Sequence, residues 1–354
     1  MEAWRFTLIS LSLVVLTASH GWATEAPTHP LPDHGVVLMY HHFGENRYPA
    51  TNVRLKPFEA QLDHLQSAGY QVWPLTRLIQ HLNQRIPIPD RVVVITVDDA
   101  YRSIYTEAYP RMKKRGWPLT VFVSTNGVDR GYDAYLNWQQ MREMAQNGVT
   151  FANHGSAHNH MTKRLDGETE LAWLARTEAD INHAQQRLRD ELGDVPMLFA
   201  YPYGEYNPAL AALLKRLGYH AFGQHSGPIG ANANPQALPR YPVSEHYASG
   251  DEFAMKVATL PLPVTDIEPT SPILTDPDTA PTLSFTIPTA TRIGSLHCFA
   301  SGQGEIPVTW LDKAAQRLST TAPSPQAGAR SRYNCTAPSP FDGRFYWYSH
   351  PWFR

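Results

Sequence analysis

At 354 residues with a net charge of −2, the chain is longer than one average domain and has no basic excess of the kind that binds nucleic acid. After the N-terminus no apolar run is long enough to span a bilayer. One large domain with something smaller attached is the expectation.

At the N-terminus Arg5 precedes an apolar run over 6–16, and Gly21-Trp22-Ala23 supplies a small-x-small cleavage signal. Residues 1–23 therefore read as a signal peptide of an exported protein, periplasmic or secreted, with an uncleaved anchor as the alternative. A Pro-rich lead over 26–32 gives way to Gly35 and the apolar Val36, Val37, Leu38 and Met39, a buried strand that ends in Tyr40, His41 and His42. Phe58, Leu62 and Leu65 recur at helical spacing before the stop at Gly69, and a second helix follows Pro74 with Leu75, Leu78 and Leu82 on one face. The run 92–99, Val-Val-Val-Ile-Thr-Val-Asp-Asp, is a strand covered on both faces that delivers two adjacent carboxylates, Asp98 and Asp99. Burying two carboxylates is costly, so they need a cation, a hydrogen-bond network or solvent. Taken alone, an Asp-Asp pair is better explained by a turn or a helix cap.

The pattern then repeats. A helix is predicted over 101–115 with Tyr105, Ala108 and Met112 on one face, then a strand over 119–124. Asn137 and Gln140 form a capping box for a helix ending at Gly148, and the strand 149–153 delivers His154. A long helix over 168–192 is expected to bury Leu171, Leu174, Ile181, Leu188 and Leu192. The strand 198–201 follows. Asn207 and Pro208 then open a further helix that ends at Gly218 and leads to the strand 219–223. Repeated strand-helix units imply a parallel α/β architecture, a barrel or a doubly wound sheet, without a dinucleotide-type glycine fingerprint. In a barrel, residues just past strand C-termini converge on one face. Asp98, Asp99, His154 and the Tyr201-Pro202-Tyr203-Gly204 turn all hold that position.

From Pro261 onward proline, threonine and serine accumulate and helical periodicity is lost. The expected division is a main domain over 24–263, a linker over 264–281 and a small β module over 282–354, with strands near 283–287, 306–310 and 344–348. Cys298 and Cys335, in an exported chain, are expected to pair as a disulfide, a zinc site with His297 being the alternative. The module's aromatic residues could stack on sugar rings, but core and interdomain packing is favoured.

His154-Gly155-Ser156-Ala157-His158 places two imidazoles in a loop after a strand. With one carboxylate from the Asp-Asp pair they make a three-ligand site with open positions, suited to catalytic Zn²⁺ and to Fe²⁺. A divalent ion there would acidify a water and polarise a carbonyl while the second carboxylate takes a proton, which fits amide or ester hydrolysis. A glycosidase pair must stand at least ~5 Å apart across a sugar bond, which neighbours on one strand end do not.

These motifs resemble the polysaccharide deacetylase family, carbohydrate esterase family 4. Thr96-Val97-Asp98-Asp99 is similar to its Thr-Phe-Asp-Asp motif, His154 to His158 to its His-Ser/Thr-x-x-His motif, and Ala200-Tyr201-Pro202-Tyr203-Gly204 to its Arg-x-Pro-Tyr turn; the early Met39-Tyr40-His41-His42 is similar as well. The resemblance covers about 35–245 and implies a distorted parallel (β/α) barrel. It implies Asp98 as general base and Asp99, His154 and His158 as ligands of a divalent metal, Zn²⁺ first, with Fe²⁺, Co²⁺ and Ni²⁺ suiting the same donors. Tyr201, Pro202 and Tyr203 would be a substrate-binding wall whose backbone could stabilise an oxyanion. The chain departs from the family pattern in four places. Gly155 replaces the hydroxyl residue of the second motif, the arginine that orients the base is missing from the third, and the late Asp-x-x-Trp and Leu-x-His are absent. His225 and His246 are the candidates for the general acid.

The expected function is an exported, metal-dependent deacetylase of an acetylated cell-envelope or extracellular polysaccharide, acting on N-acetyl more than O-acetyl groups. A catalytically weak or inactive glycan-binding protein on the same scaffold is the alternative, and a peptide-amide hydrolase a third. Neither nucleic acid nor, after signal removal, a transmembrane segment is expected.

Overall fold

Two seven-residue runs, His34–Tyr40 (β1) and Val92–Asp98 (β2), are buried at every position, as strands covered on both faces must be. The computed structural model describes residues 1, 31 and 33–354 apart from 248, 277, 292 and 342, so the signal segment 1–23 lies outside the described residues except for Met1. Leu119–Val123 (β3), Val149–Asn153 (β4), Leu198–Ala200 (β5) and His220–Phe222 (β6) continue the sheet, each strand parallel to its predecessor. The edges are bridged by the segment 238–242. Leu238 pairs with Phe222 of β6, and Tyr241–Pro242 pairs in parallel with Leu38 and Met39 of β1. The strand order follows the chain, and the sheet curls toward a barrel instead of reversing as in a doubly wound fold.

Side chains alternate between two cores, as strand period dictates. Val93, Ile95 and Val97 pack outward with Phe58, Leu62 and Met141 of the helical layer. Val92 and Val94 point inward to Phe122, Ala152, Phe222 and Leu238. By the same alternation Thr96 and Asp98 face the interior, which fixes where the chemistry sits.

Two helices begin at the caps that the sequence predicts. Asn137 and Gln140 form the reciprocal capping box of Trp138–Gln146, and the Asn207 side chain accepts from Leu210 N–H at the start of Pro208–Arg216. Two expectations fail for local reasons. The helix predicted over 101–115 is π-helical over Ile104–Ala108 and α-helical only over Tyr109–Lys114. Pro110 lacks an N–H and crowds the preceding turn, so the regular ladder cannot run through it. In Glu170–Leu192, Leu171 is 80% exposed. The buried stripe runs through Trp173, Thr177, Ile181, Ala184 and Leu188, and a residue two positions from Trp173 lies on the opposite face. Leu192 is only partly buried.

The C-terminal strands form two sheets around one core. One holds, in order, Leu260–Pro261, Phe345–Phe353, Arg330–Pro338, His297–Ala300 and Gly304–Ile306; the other holds Thr265–Glu268, Thr282–Thr286, Arg317–Thr321 and Val308–Asp312. The stretch 264–281 thus carries the strand Thr265–Glu268, paired with Thr282–Thr286. Leu283, Phe285 and Leu318 of one sheet meet Tyr333, Tyr346 and Trp352 of the other. Trp347 and Phe353 reach the barrel instead, against Tyr241 and Tyr206.

Cys298 and Cys335 lie directly opposite each other on antiparallel strands and form a disulfide with a sequence separation of 37. Closing such a loop removes unfolded-state entropy worth about 4 kcal/mol. Chemical denaturation of Cys298→Ala/Cys335→Ala should show a loss of about that size, and an unchanged midpoint would refute the estimate.

Candidate active site

The site is built at the C-terminal ends of β2, β4 and β5. Asp98 ends β2 pointing inward and is fully buried. Its counterion comes from the bridging segment: Arg240 Nη1 donates to Asp98 Oδ1 at 2.7 Å and Nη2 to Oδ2 at 2.8 Å, a bidentate pair with both side chains at 0% exposure. Arg240 is itself fixed, Nε donating to Gly223 O at 3.0 Å and Nη1 to Thr96 Oγ1 at 3.3 Å, with its guanidinium 5.2 Å from the Phe122 ring centroid. Burial alone would raise the Asp98 carboxyl, but the Arg240 charge and hydrogen bonds outweigh it and hold the group below the usual carboxylate range.

Asp99 turns out of the strand with φ +74, and Ala100 follows at φ +59. His158 and Tyr203 also adopt positive φ, at +51 and +60. Left-handed backbone is uncommon outside glycine, so three residues of one cleft share a conformation that only the surrounding fold can impose. The turn carries the Asp99 carboxylate to His154 and His158, whose Nε2 atoms lie 3.4 and 3.1 Å from Asp99 Oδ1. One donor atom from each of the three residues lies within 4.8 Å of the others.

The hydrogen bonding of His154 tests whether a cation fits. Its Nδ1 is 2.7 Å from the carbonyl oxygen of Ala200, which can only accept, so Nδ1 carries the proton. A neutral ring then presents an Nε2 lone pair to the Asp99 carboxylate, and this buried atom has no hydrogen-bond partner. Two facing acceptors without a donor are unfavourable, and although burial opposes it, Asp99 and the Asp98 charge raise the ring's affinity for a proton. A divalent ion resolves the conflict in place of that proton, and ligands ~2.1 Å from a tetrahedral centre stand ~3.4 Å apart, close to the two separations found.

The loop that holds the histidines explains the departure at Gly155. It sits at φ +73, and a Cβ there would lie 2.7 Å from Met161 Cε and 2.9 Å from Asp180 Oδ2. Asp180 accepts from both the backbone N–H and the hydroxyl of Ser156. The loop's hydroxyl therefore stands one residue later than in the family motif.

Above these groups opens a cleft of about 580 Å³. Asp99, His158 and Tyr203 line it, as do His41, Tyr101 and His225. Tyr203 stacks on His160 with centroids 4.0 Å apart and planes 10° apart, and His160 Nδ1 is 2.8 Å from Glu205 Oε2. On the other side Tyr101 lies between His42, at 3.8 Å, and Tyr135, at 5.2 Å. The remaining predicted residues sit elsewhere. Asp98 and Pro202 are buried and do not line the cleft, and the Tyr201 hydroxyl donates to Gln236 O at 2.8 Å, away from it. His246 is exposed in a 3-10 turn outside the cleft. His225 is at the cleft, but burial, then the charges of His350 and Arg332, push it down to about 3.

Reasoning from local motifs missed Arg240 and gave His41 no role. Arg240 had one signal, an arginine flanked by apolar and proline residues just before a short strand. His41 follows a strand whose C-terminus faces the same rim as β2, a position equivalent to those that singled out His154.

Residues 85–222 match the family model described as polysaccharide deacetylase. This region belongs to the polysaccharide deacetylase family. Over 305 residues the chain is 25% identical to the poly-beta-1,6-N-acetyl-D-glucosamine N-deacetylase of Escherichia coli K12, an alignment that covers 72% of this chain and 45% of that protein. It thus spans less than half the length of that relative. It is 29% identical over 207 residues to the putative polysaccharide deacetylase YxkH of Bacillus subtilis, covering 58% of this chain and 66% of that one. Among solved structures, IcaB from Ammonifex degensii superposes with a TM-score of 0.56 at 26% identity, over 65% of this chain and 99% of that one.

Two outcomes check this geometry. Arg240→Met should cost about 3–5 kcal/mol at neutral pH, because it strands a buried carboxylate, whereas Asp98→Leu/Arg240→Met should cost less. Since Asp98 is depressed in the folded state, its contribution is complete above the unfolded value of ~3.9 and disappears as pH falls through the lower folded one. Denaturation curves of wild type and Arg240→Met should therefore converge toward acid pH. Separately, elemental analysis should find about one divalent metal per wild-type chain and at least ~10-fold weaker retention in Asp99→Ala and His154→Ala.

Proposed function

We propose that the protein is an exported metal-dependent deacetylase that hydrolyses N-acetyl groups of a cell-envelope or extracellular polysaccharide. The observation that carries this reading is the buried, partnerless Nε2 of His154 facing the Asp99 carboxylate at the floor of an open cleft. The relatives named as poly-beta-1,6-N-acetyl-D-glucosamine N-deacetylases support the N-acetyl assignment, and the N-terminal segment supports export. The catalytic domain is assigned to 24–263 and the β module to 282–354, joined by 264–281, whose strand Thr265–Glu268 pairs into the module's sheet.

Asp99, His154 and His158 would hold the divalent ion, zinc by preference, which when bound acidifies a water and polarises the acetyl carbonyl. Asp98, one layer below, takes the proton of the attacking water; Arg240 occupies one side of each of its oxygens and keeps it ionised at neutral pH. In the turn before Glu205, the N–H groups of Gly204 and Glu205 already bond to the carbonyls of Tyr201 and Pro202, so Tyr203 N–H is the turn's donor for the oxyanion. His41 gives the proton to the leaving amine. It lines the cleft beside Asp99; burial, with Arg240 and His154, holds its affinity for a proton below the ordinary imidazole value, and the charges of Asp99 and Asp98 oppose that fall. His225 faces His350 and Arg332 without such help, and His246 is outside the cleft. The amide C–N bond breaks as a C–O bond forms, giving acetate and a free amine.

Acetate release from N-acetylglucosamine oligomers should fall at least ~100-fold in Asp98→Asn and in His41→Ala, with His246→Ala unchanged. Bound metal with no acetate from any acetylated glycan would turn the reading to a glycan-binding protein. Full activity in His41→Ala with loss in His225→Ala would transfer the acid role to His225.

A further inference from the structure

The direction in which the turn after β5 points its free N–H depends on the backbone of Tyr203. Gly204 N–H donates to Tyr201 O at 2.8 Å, closing a four-residue turn, and Tyr203, its third residue, stands at φ +60, ψ +3. Those angles are the type II form, which differs from type I by a flip of the peptide between the two central residues. Here that peptide is Pro202–Tyr203, and it carries the N–H left for the oxyanion. In a type I turn Tyr203 would have negative φ, and the same N–H would point the other way.

The local sequence favours the flipped form. Proline at the second position suits both turns, but type II asks for glycine at the third, and tyrosine there carries the penalty of left-handed backbone. Contacts from outside the turn must therefore hold Tyr203 as it is. The barrel supplies His158 and His160, whose rings meet the Tyr203 ring at 4.5 and 4.0 Å between centroids, and His160 Nδ1 is 2.8 Å from the buried Glu205 carboxylate. The β module supplies Arg330. Its Nη1 donates to Tyr203 O at 3.1 Å, and its guanidinium lies 5.4 Å from the ring centroid. Flipping the peptide swings the N–Cα bond of Tyr203, and a tetrahedral Cα makes ring and carbonyl swing with it. A guanidinium that engages both resists the flip.

We propose that Arg330 is a positioning residue for the hydrolysis: from the β module it holds Tyr203 in the left-handed conformation that presents its N–H to the reacting carbonyl. This rests on the deacetylase reading of the cleft and deepens it with a residue from outside the region matched by the family model. The module is then a working part of the site. Arg330 is exposed, so replacing it removes this hold without opening a core.

Acetate release from N-acetylglucosamine oligomers by the full-length, metal-loaded protein tests this. Arg330→Met should lower kcat about three- to tenfold with KM within about twofold, because the N–H acts on the transition state more than on bound substrate. Arg330→Lys, which can still donate to the carbonyl, should keep part of the rate. In a Tyr203→Gly background, where positive φ costs little, Arg330→Met should lose less. Arg344 also ties module to barrel, donating to Ala258 O and Asp90 Oδ1, neither of which lines the cleft, so Arg344→Met should leave kcat unchanged. Unchanged kcat in Arg330→Met, a rise in KM alone, an equal loss in Arg344→Met, or full additivity with Tyr203→Gly would overturn the proposal. Nitrogen-15 relaxation on tyrosine-labelled protein reads the hold without turnover. The Tyr203 amide should gain microsecond-to-millisecond exchange in Arg330→Met and not in Arg344→Met, and an amide equally quiet in both would also overturn it. Should wild type release no acetate, the deacetylase reading falls, and the relaxation comparison alone keeps or removes the hold of Arg330 on Tyr203.

Discussion

The structure turns on a buried ion pair. Asp98 and Arg240 lie inside the barrel at 0% exposure, and neither could be there alone. An isolated ionised carboxylate in a low-dielectric interior costs many kcal/mol, and a guanidinium cannot escape that cost by losing its proton. Their bidentate geometry, with Thr96 and Gly223 taking further donors, is the kind that offsets desolvation. The pair also sets a local architecture. Asp98 can be buried only because the segment 238–242 crosses between β6 and β1, and that segment stays in place partly because its arginine has nowhere else to go.

Much of the barrel is legible in the chain because its strands are covered on both faces and its helices carry their own boundary chemistry. Runs such as 92–98 have no polar position to misplace, and Asn137, Asn207 and the glycines after the helices say where elements start and stop. Where the reading failed, tertiary context overrode a local pattern. Leu171 fits a helical repeat but belongs to the wrong face, because the buried stripe is set by Trp173 and Ile181 against the barrel. The motif-bearing Tyr201 proved to be a packing residue whose hydroxyl bonds to Gln236 O. The convergence of Asp99, His154 and His158 could be anticipated because these residues lie at strand ends within short motifs. Arg240 could not, since the partner it serves is 142 residues away and a lone arginine has no periodicity.

The terminal β module illustrates the same limit at larger scale. Its composition and its two cysteines gave away a small stabilised unit, but nothing in a strand's alternation says which neighbour its exposed face will meet. Phe353 and Trp347 pack into barrel aromatics, and Arg330 and Arg332 bond to the backbone of the barrel's own loops. Active-site loops and module therefore share one hydrogen-bonded seam, and the shape of the cleft depends on both.

The bridging segment has a consequence for how the protein comes into being. Asp98 leaves the ribosome well before Arg240, and until residues 238–242 dock, its carboxylate has no internal partner and belongs in water. The floor of the site is thus finished by one of the last parts of the barrel to be made. A chain in which that segment has not seated is at once less stable and without an ordered carboxylate beneath the triad. Maturation and competence become one event, and a half-built molecule cannot display a finished site.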